Sequence, residues 1–270
     1  FFIIPLERWS LIGTTDTMYG GDLDDVHADA DDVNYLLEQS RRVLPGLNLI
    51  REAILYTYAG IRPLAFTGAR ESKISRKHRV IREGRSGRII SIAGGKYTTY
   101  RNMAKDVVDA ACRRLGVKTA CTTDRASLPG GLPDGLPEYK KEALPALAER
   151  FNVSSETVQH LVGLYGFRAE KVLEMVRDDK RLAETISTES RDIYAQVAYG
   201  IGEEGAKTLC DIVLRRMELG ITSSRGEEKI GEIAAIAARK LGWDADERKR
   251  QVDEFTEELK KERQFQAPIA

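Results

Sequence analysis

Apolar residues recur along the chain in two patterns. In the first part they come as short runs, Phe1 to Ile4, Trp9 to Ile12, Ile54 to Tyr58 and Ile89 to Ile92, rich in the aromatic, β-branched and leucine residues that suit a pleated surface. The first two flank the polar residues Glu7 and Arg8 and predict a β-hairpin that delivers Gly13-Thr14-Thr15-Asp16. Val33, Leu36, Leu37 and Leu44 approximate helical spacing, and Asp29 to Asp32 precede them, where the positive end of a helix dipole favours carboxylates. The run Ile89 to Ile92 leads through Ala93-Gly94-Gly95 into Tyr100 to Leu115, whose Met103, Val107, Ala110 and Ala111 mark one apolar face. The order is strand, glycine turn, helix.

The stretch from Leu128 to Pro137 concentrates turn formers, with three glycines, three prolines and Asp134 among ten residues. Such residues sustain neither helix nor strand, so a domain boundary is expected there. Beyond it the spacing is helical near Glu138 to Arg150, Ser154 to Leu164, Ala169 to Val176, Ser190 to Tyr199, Gly205 to Leu219, Glu227 to Leu241 and Ala245 to Arg263. No internal repeat stands out. The expected fold class is α+β: a partial, mostly antiparallel sheet with flanking helices over residues 1–123, followed by an all-α C-terminal domain over residues 124–270.

Composition narrows the function classes. With 270 residues and 42% hydrophobic content the chain can bury a substantial core. Forty-two basic residues balance forty-two acidic ones, which leaves no general positive field for nucleic acid or an anionic membrane, so any anion site must be local. No apolar run approaches the roughly 20 residues of a spanning helix, and Phe1 to Pro5 lacks a signal-peptide pattern. Cys112, Cys121 and Cys210 are odd in number and lack CxxC spacing, against a disulfide framework, zinc or an iron–sulfur cluster; a reducing cytoplasm suits them. The acidic residues between Asp22 and Asp32 lack the glycine and terminal glutamate of an EF-hand loop, so no metal site is expected and capping is the reading preferred. Because the chain starts at Phe1, already inside an apolar strand, a piece of a longer protein is expected.

Three short segments carry candidate chemistry. In Gly94-Gly95-Lys96-Tyr97-Thr98-Thr99-Tyr100-Arg101, two glycines let the backbone approach a ligand and a helix start presents unpaired N–H groups. The spacing is not that of a GxxxxGK[ST] phosphate loop, which argues against a nucleotide triphosphatase. In Tyr58-Ala59-Gly60-Ile61-Arg62-Pro63-Leu64, the planar fork of Arg62 suits a carboxylate or phosphate. Arg76 and Arg79 lie in a basic stretch from Lys73 to Arg82. Thr14, Thr15 and Asp16 read as a turn bonding its own backbone. His27, His78 and His160 titrate in the range of a general base, yet none is assigned that role and the catalytic base is unknown.

Taken together, Leu11-Ile12-Gly13-Thr14-Thr15-Asp16, Tyr58 to Leu64 and Gly94 to Arg101, in that order and spacing, resemble the flavin-dependent glycerol-3-phosphate dehydrogenases. The resemblance runs on through Leu128-Pro129-Gly130-Gly131, His160-Leu161-Val162, Tyr165-Gly166 and Asp211 to Gly220, which resemble the family's helical C-terminal domain. It implies FAD as cofactor and oxidation of sn-glycerol 3-phosphate to dihydroxyacetone phosphate, with electrons passed to a quinone or other acceptor. Residues 1–123 then correspond to part of the FAD/substrate-binding region of a DAO-type oxidoreductase. Arg62 and Arg76 are implied to hold the substrate phosphate. Gly95, Lys96, Tyr97 and Thr98 are implied to meet the pyrimidine side of the flavin, with Lys96 shared between cofactor and substrate.

The departure from the family pattern is the lack of a strand followed by GxGxxG, so this stretch alone is not expected to retain FAD. The resemblance also implies a cytoplasmic protein that is peripheral at the inner face of the cell membrane where the acceptor is a quinone, and it leaves a homo-oligomer open. Two other readings stay open on the residues. One is a related flavin-dependent oxidase of the same fold. The other is a helical partner or DNA-binding module, for which Val153 to Val176 supplies two helices around Tyr165-Gly166-Phe167.

Overall fold

The computed structural model describes residues 1–6, 8–62, 77–84, 87–131 and 136–266. They form two compact units, one of Phe1–Met18, His27–Ala59 and Pro129–Ala270, the other of Tyr19–Val26 and Gly60–Leu128. The fold is mostly helical with two small antiparallel sheets, the α+β class expected. The hairpin and the residues around the first helix pack in the helical unit, although both lie before residue 123.

In the first unit, β1 (Phe2–Leu6) pairs antiparallel with β2 (Trp9–Gly13), Phe2 opposite Gly13 and Leu6 opposite Trp9. Helix α1 (Ala30–Val43) starts where the aspartates predict. The Asp29 carboxylate accepts from the Asp31 and Asp32 N–H groups, both at 2.9 Å, and Asp32 accepts from the Asp29 N–H at 3.2 Å. This reciprocal capping satisfies donors that the first turn leaves open.

Past the boundary the unit is helical: α3 (Leu136–Phe151), α4 (Ser155–Tyr165), α5 (Ala169–Glu174), α6 (Tyr194–Gly202), α7 (Leu209–Arg216), α8 (Ile230–Leu241) and α9 (Ala245–Glu262), while α2 (Tyr100–Leu115) belongs to the other unit. Val158, Leu161, Leu173, Ile212, Ile233 and Phe255 are fully buried. Burying each such side chain contributes about 1.5–3 kcal/mol. Helix α6 has almost no exposed face, as expected for the central element of a bundle.

The turn formers before α3 have a specific partner. Gly130 and Gly166 both have left-handed backbones (φ +86° and +58°), and a Cβ on either would collide with backbone of the Gly130 or the Tyr165-Gly166 segment. The Phe167 N–H donates to the Gly130 carbonyl at 3.3 Å. The two stretches are thus pressed backbone to backbone, which only glycine allows.

A buried polar network joins the helices. Asp192 is fully buried. Its carboxylate accepts from His160 Nε2 on α4 at 2.8 Å, from Gln196 Nε2 on α6 at 2.8 Å, and from the Leu219 N–H. The other His160 nitrogen faces Glu218 at 3.4 Å, and Gln196 Oε1 accepts from the Ile193 N–H at 2.9 Å. Burial pushes the Tyr165 hydroxyl well above its ordinary range, and its ring meets that of Tyr199 edge-on at 5.3 Å.

One expected strand is absent. Ile54 to Tyr58 follows a short 3-10 turn (Arg51–Ala53) and runs irregularly. The Thr57 N–H and hydroxyl both donate to the Glu262 carbonyl at the end of α9, at 3.0 and 2.9 Å. Arg51 donates to the Phe265 carbonyl at 2.6 Å. Polar groups engaged with a helix terminus are not free to pair in a ladder.

In the second unit, β3 (Arg79–Glu83) pairs antiparallel with β4 (Ile89–Ala93), Arg79 opposite Ala93, and α2 (Tyr100–Leu115) follows, ending on left-handed Gly116. β3 is a strand that the basic stretch concealed. Among the described residues, no helix is long and apolar enough to cross a membrane.

Two predictions test the helical unit. All partners of the Asp192 carboxylate donate, so Asp192→Asn places an NH2 donor against other donors. It is expected to cost about 2–4 kcal/mol of unfolding free energy in urea titration, and a loss within error of zero would remove Asp192 as the organising group. The second concerns α7. Burial raises the Asp211 pKa, but N–H groups of Lys207 and Thr208 and the Thr208 hydroxyl outweigh it and hold the carboxylate below its ordinary range. A depressed folded pKa contributes stability that is present above the unfolded pKa and lost as pH falls through the folded one. Unfolding midpoints are therefore expected to drop as pH falls below the usual carboxylate range, with a shallower drop in Asp211→Asn.

Candidate functional site

β4 ends at Ala93, and the chain must then reverse into a helix. It does so through Gly94 (φ +76°) and Gly95 (φ +92°), conformations that side chains other than glycine rarely adopt. A Cβ on Gly94 would sit 2.9 Å from the Lys77 carbonyl oxygen, and one on Gly95 would sit 2.5 Å from Met103 Sδ and 3.2 Å from His78 Cβ. The glycines are therefore required twice, by backbone angle and by close approach to β3 and α2.

Lys96 follows with extended backbone, and Tyr97–Thr99 form a 3-10 turn that leads into α2. Thr99 closes this corner: its hydroxyl donates to the Lys96 carbonyl at 2.9 Å and lies 3.3 Å from the Lys96 N–H. No side chain caps α2 at Thr99; the Thr99 and Tyr100 N–H groups donate to the Lys96 and Tyr97 carbonyls, so the start of the helical stretch, with its positive dipole end, lies at Tyr97 and Thr98.

Lys96, Tyr97 and Thr98 are exposed. Tyr97 is 91% exposed and tilts against Tyr100 with ring centroids 6.0 Å apart. The candidate residues Gly95, Lys96, Tyr97 and Thr98 thus form one continuous ridge that combines backbone donors, a lysine ammonium and an aromatic face. Such a ridge suits a planar ligand with an electron-rich edge, or an anion.

His78 backs the turn. Its Nε2 lies 2.7 Å from Asp106 Oδ2 on α2, which ties the residue before β3 to the helix after the glycines. Neither Thr99 nor Met103 was among the candidates, and His78 had no assigned role. Their part depends on which element faces the turn, and nothing local in the sequence carries that.

Arg62 belongs to the same unit and is exposed. Arg76 lies outside the described residues. Of the other histidines, His160 is held in the buried network of the helical unit, and His27 is half-buried. The Thr14 hydroxyl donates to the Thr15 carbonyl at 2.8 Å, consistent with a turn that bonds its own backbone.

Residues 121–248 match the family described as the C-terminal domain of alpha-glycerophosphate oxidase. The chain is 34% identical over 262 residues to a glycerol-3-phosphate dehydrogenase of Synechocystis sp., covering 95% of this chain and 47% of that protein. It is 35% identical over 257 residues to glycerol-3-phosphate dehydrogenase 2 of Mycobacterium bovis, covering 94% and 43%. The crystal structure of the glycerol-3-phosphate dehydrogenase of Bacillus halodurans complexed with FAD is similar over 99% of this chain and 52% of that one, with a TM-score of 0.84 and 29% identity. The chain spans a little under half the length of these curated relatives.

The turn makes an ordered pair of substitutions informative. Gly94→Ala meets fixed backbone, whereas Gly95→Ala meets the end of a flexible methionine. Both force a left-handed alanine at about 1–2 kcal/mol, and Gly94→Ala is expected to be the more destabilising in chemical denaturation. Equal and negligible costs would show that the turn is not built as described.

Proposed function

The chain belongs to the family of FAD-dependent glycerol-3-phosphate dehydrogenases, and from that premise we propose that it supplies the substrate-binding and flavin-facing part of such an enzyme. The reaction is oxidation of sn-glycerol 3-phosphate to dihydroxyacetone phosphate, with electrons passed on to a quinone or another acceptor. The observation that carries this reading is the pair of left-handed glycines that brings bare backbone, Lys96 and an uncapped helix start to one ridge.

That ridge fits a flavin. Backbone at Gly95 can approach a ring edge because no Cβ intervenes, and the N–H groups of Tyr97 and Thr98 with the Lys96 ammonium favour the negative charge that gathers at the pyrimidine side on reduction. FAD, where bound, supplies the hydride acceptor. The chain's own task is to hold the substrate. Arg62 and Arg76 grip the doubly charged phosphate through paired hydrogen bonds, and Lys96 adds a third cation. Binding energy collected at the remote phosphate then fixes the position of C2.

The distribution of apolar surface supports the same reading. Exposed large apolar residues crowd the part before residue 129, Tyr58, Ile89, Tyr97 and Leu115 among them, while beyond it only Leu164 and Phe167 are exposed in the described residues. We read the former as surface covered by the dinucleotide-binding part of the enzyme, with residues 1–123 in the FAD/substrate-binding region and 124–270 as the helical domain. A quinone acceptor makes the enzyme a cytoplasmic protein peripheral at the inner face of the cell membrane, and a homo-oligomer is compatible with this.

The test is dye reduction dependent on glycerol 3-phosphate in the FAD-loaded enzyme, with Arg62→Ala beside it. Loss of one charge-assisted contact costs about 1.5–3 kcal/mol, so KM is expected to rise by about 10- to 100-fold while bound flavin, read from its absorbance, stays near stoichiometric. Flavin binding with no response to glycerol 3-phosphate would keep the cofactor site and sink the substrate.

A further inference from the structure

The glycine turn is seated on the residue that precedes β3. Gly94 lies over the Lys77-His78 backbone, where an added Cβ would come within 2.9 Å of the Lys77 carbonyl oxygen and 3.6 Å of His78 Cα. Gly95 lies over His78 Cβ and the end of the Met103 side chain. The tip of the same His78 side chain is bonded to α2, where its Nε2 lies 2.7 Å from Asp106 Oδ2, about one helical turn after Met103. All of these residues belong to one compact unit.

The contacts form a closed circuit. β4 runs into the turn and is held to β3 by the ladder that sets Arg79 opposite Ala93. His78 leads into β3 and is bonded to α2, and α2 leads back through Tyr97–Thr99 to the turn. Two side chains of α2 thus meet the seat of the turn, and they hold it differently. Met103 is unbranched and adapts to a shift of the helix, whereas a short hydrogen bond to a carboxylate is specific in distance and direction. With side chains 21% and 51% exposed, the His78–Asp106 pair adds little to stability. What it adds is register between the base of β3 and the helix whose start carries Lys96, Tyr97 and Thr98.

We propose that His78 and Asp106 are positioning residues for the turn: by fixing α2 against the base of β3 they hold the Tyr97 and Thr98 N–H groups and the Lys96 ammonium where negative charge gathers on the reduced flavin. This rests on the reading of that ridge as flavin-facing given above. Stabilisation of this kind depends on donors that are already in place, so a loosened helix start weakens it even where every donor is still present.

The test uses the FAD-loaded enzyme with Asp106→Ala, His78→Ala and the double variant, beside His78→Gln, whose amide can still donate to Asp106. Asp106 is half-exposed on a helix and alanine is the best helix former, so the Asp106→Ala protein is expected to fold. Three readouts are followed: the two-electron midpoint potential of the bound flavin, amide hydrogen exchange of the peptide spanning residues 94–100, and the split between KM and kcat. In Asp106→Ala, exchange is expected to quicken and the preference for reduced over oxidised flavin to fall about tenfold, a midpoint lowered by about 30 mV, with KM for glycerol 3-phosphate within about twofold. The double variant is expected to go no further, because both single changes break one bond, and His78→Gln is expected to stay near the parent enzyme. The sign is diagnostic. Loss of a carboxylate that moves nothing raises the potential, since the reduced flavin then meets less repulsion, and Asp109→Ala, which removes the α2 carboxylate paired with Lys105, reports that effect. A potential unchanged or raised in Asp106→Ala, an equal lowering in Asp109→Ala, or additive losses in the double variant would overturn the proposal. Lys96→Gln separates the two levels. If it lowers the potential while Asp106→Ala does not, the positioning proposal falls and the flavin-facing reading stands. If Lys96→Gln leaves both the potential and the affinity for FAD unchanged, that reading falls and the proposal falls with it.

Discussion

A carboxylate with no exposed surface organises the helical unit. Removing Asp192 from water carries a penalty of several kcal/mol that only close, well-directed donors offset. Three supply it, from α4, from α6 and from the backbone at Leu219. Each comes from a different element, so the carboxylate is satisfied only when all have arrived in register. The apolar contacts of Leu161, Val197 and Leu219 would tolerate small slips, but hydrogen bonds within 3 Å do not. The hydrophobic core supplies most of the stability and the buried charge selects one packing of it, a division consistent with the specificity attributed to buried polar groups elsewhere.

Two segments of the family resemblance gain a physical meaning from this packing. Leu128 to Gly131 and Tyr165-Gly166 stand far apart in sequence, yet Gly130 and Gly166 press together at backbone distance. His160 and the neighbourhood of Gly220 are likewise joined, since His160 faces Asp192 and Glu218 while Asp192 receives the Leu219 N–H. Residues that looked like separate signatures are facing halves of two contacts.

This also explains what was legible beforehand. Amphipathic spacing located α1, α2 and the seven helices past the boundary, because a helix that buries one face writes its period into the sequence; the starts of α6 and α7 were placed too early, where Ser190 to Ile193 and Gly205 to Thr208 serve as loop and cap. The glycine turn was legible because positive φ leaves few choices of residue. Ile54 to Tyr58 was misread as strand because its partners, Glu262 and Arg225, lie at the other end of the chain. β3 was missed because Arg79 and Arg82 dilute its alternation. Asp192 left no local trace: it reads as one more polar residue in the first turn of the helix expected from Ser190. Single-residue hubs formed by distant partners are invisible to any method that reads periodicity and spacing.

The two kinds of candidate residue differ in the same physical way. Gly95, Lys96, Tyr97 and Thr98 are placed by neighbours within one short stretch of chain, so their geometry follows from backbone angles and one threonine. Arg62 instead follows Tyr58 to Ile61, a stretch without regular structure. The Glu262 carbonyl is among those α9 leaves without intrahelical partners, so Thr57 satisfies the helix while the helix holds Thr57.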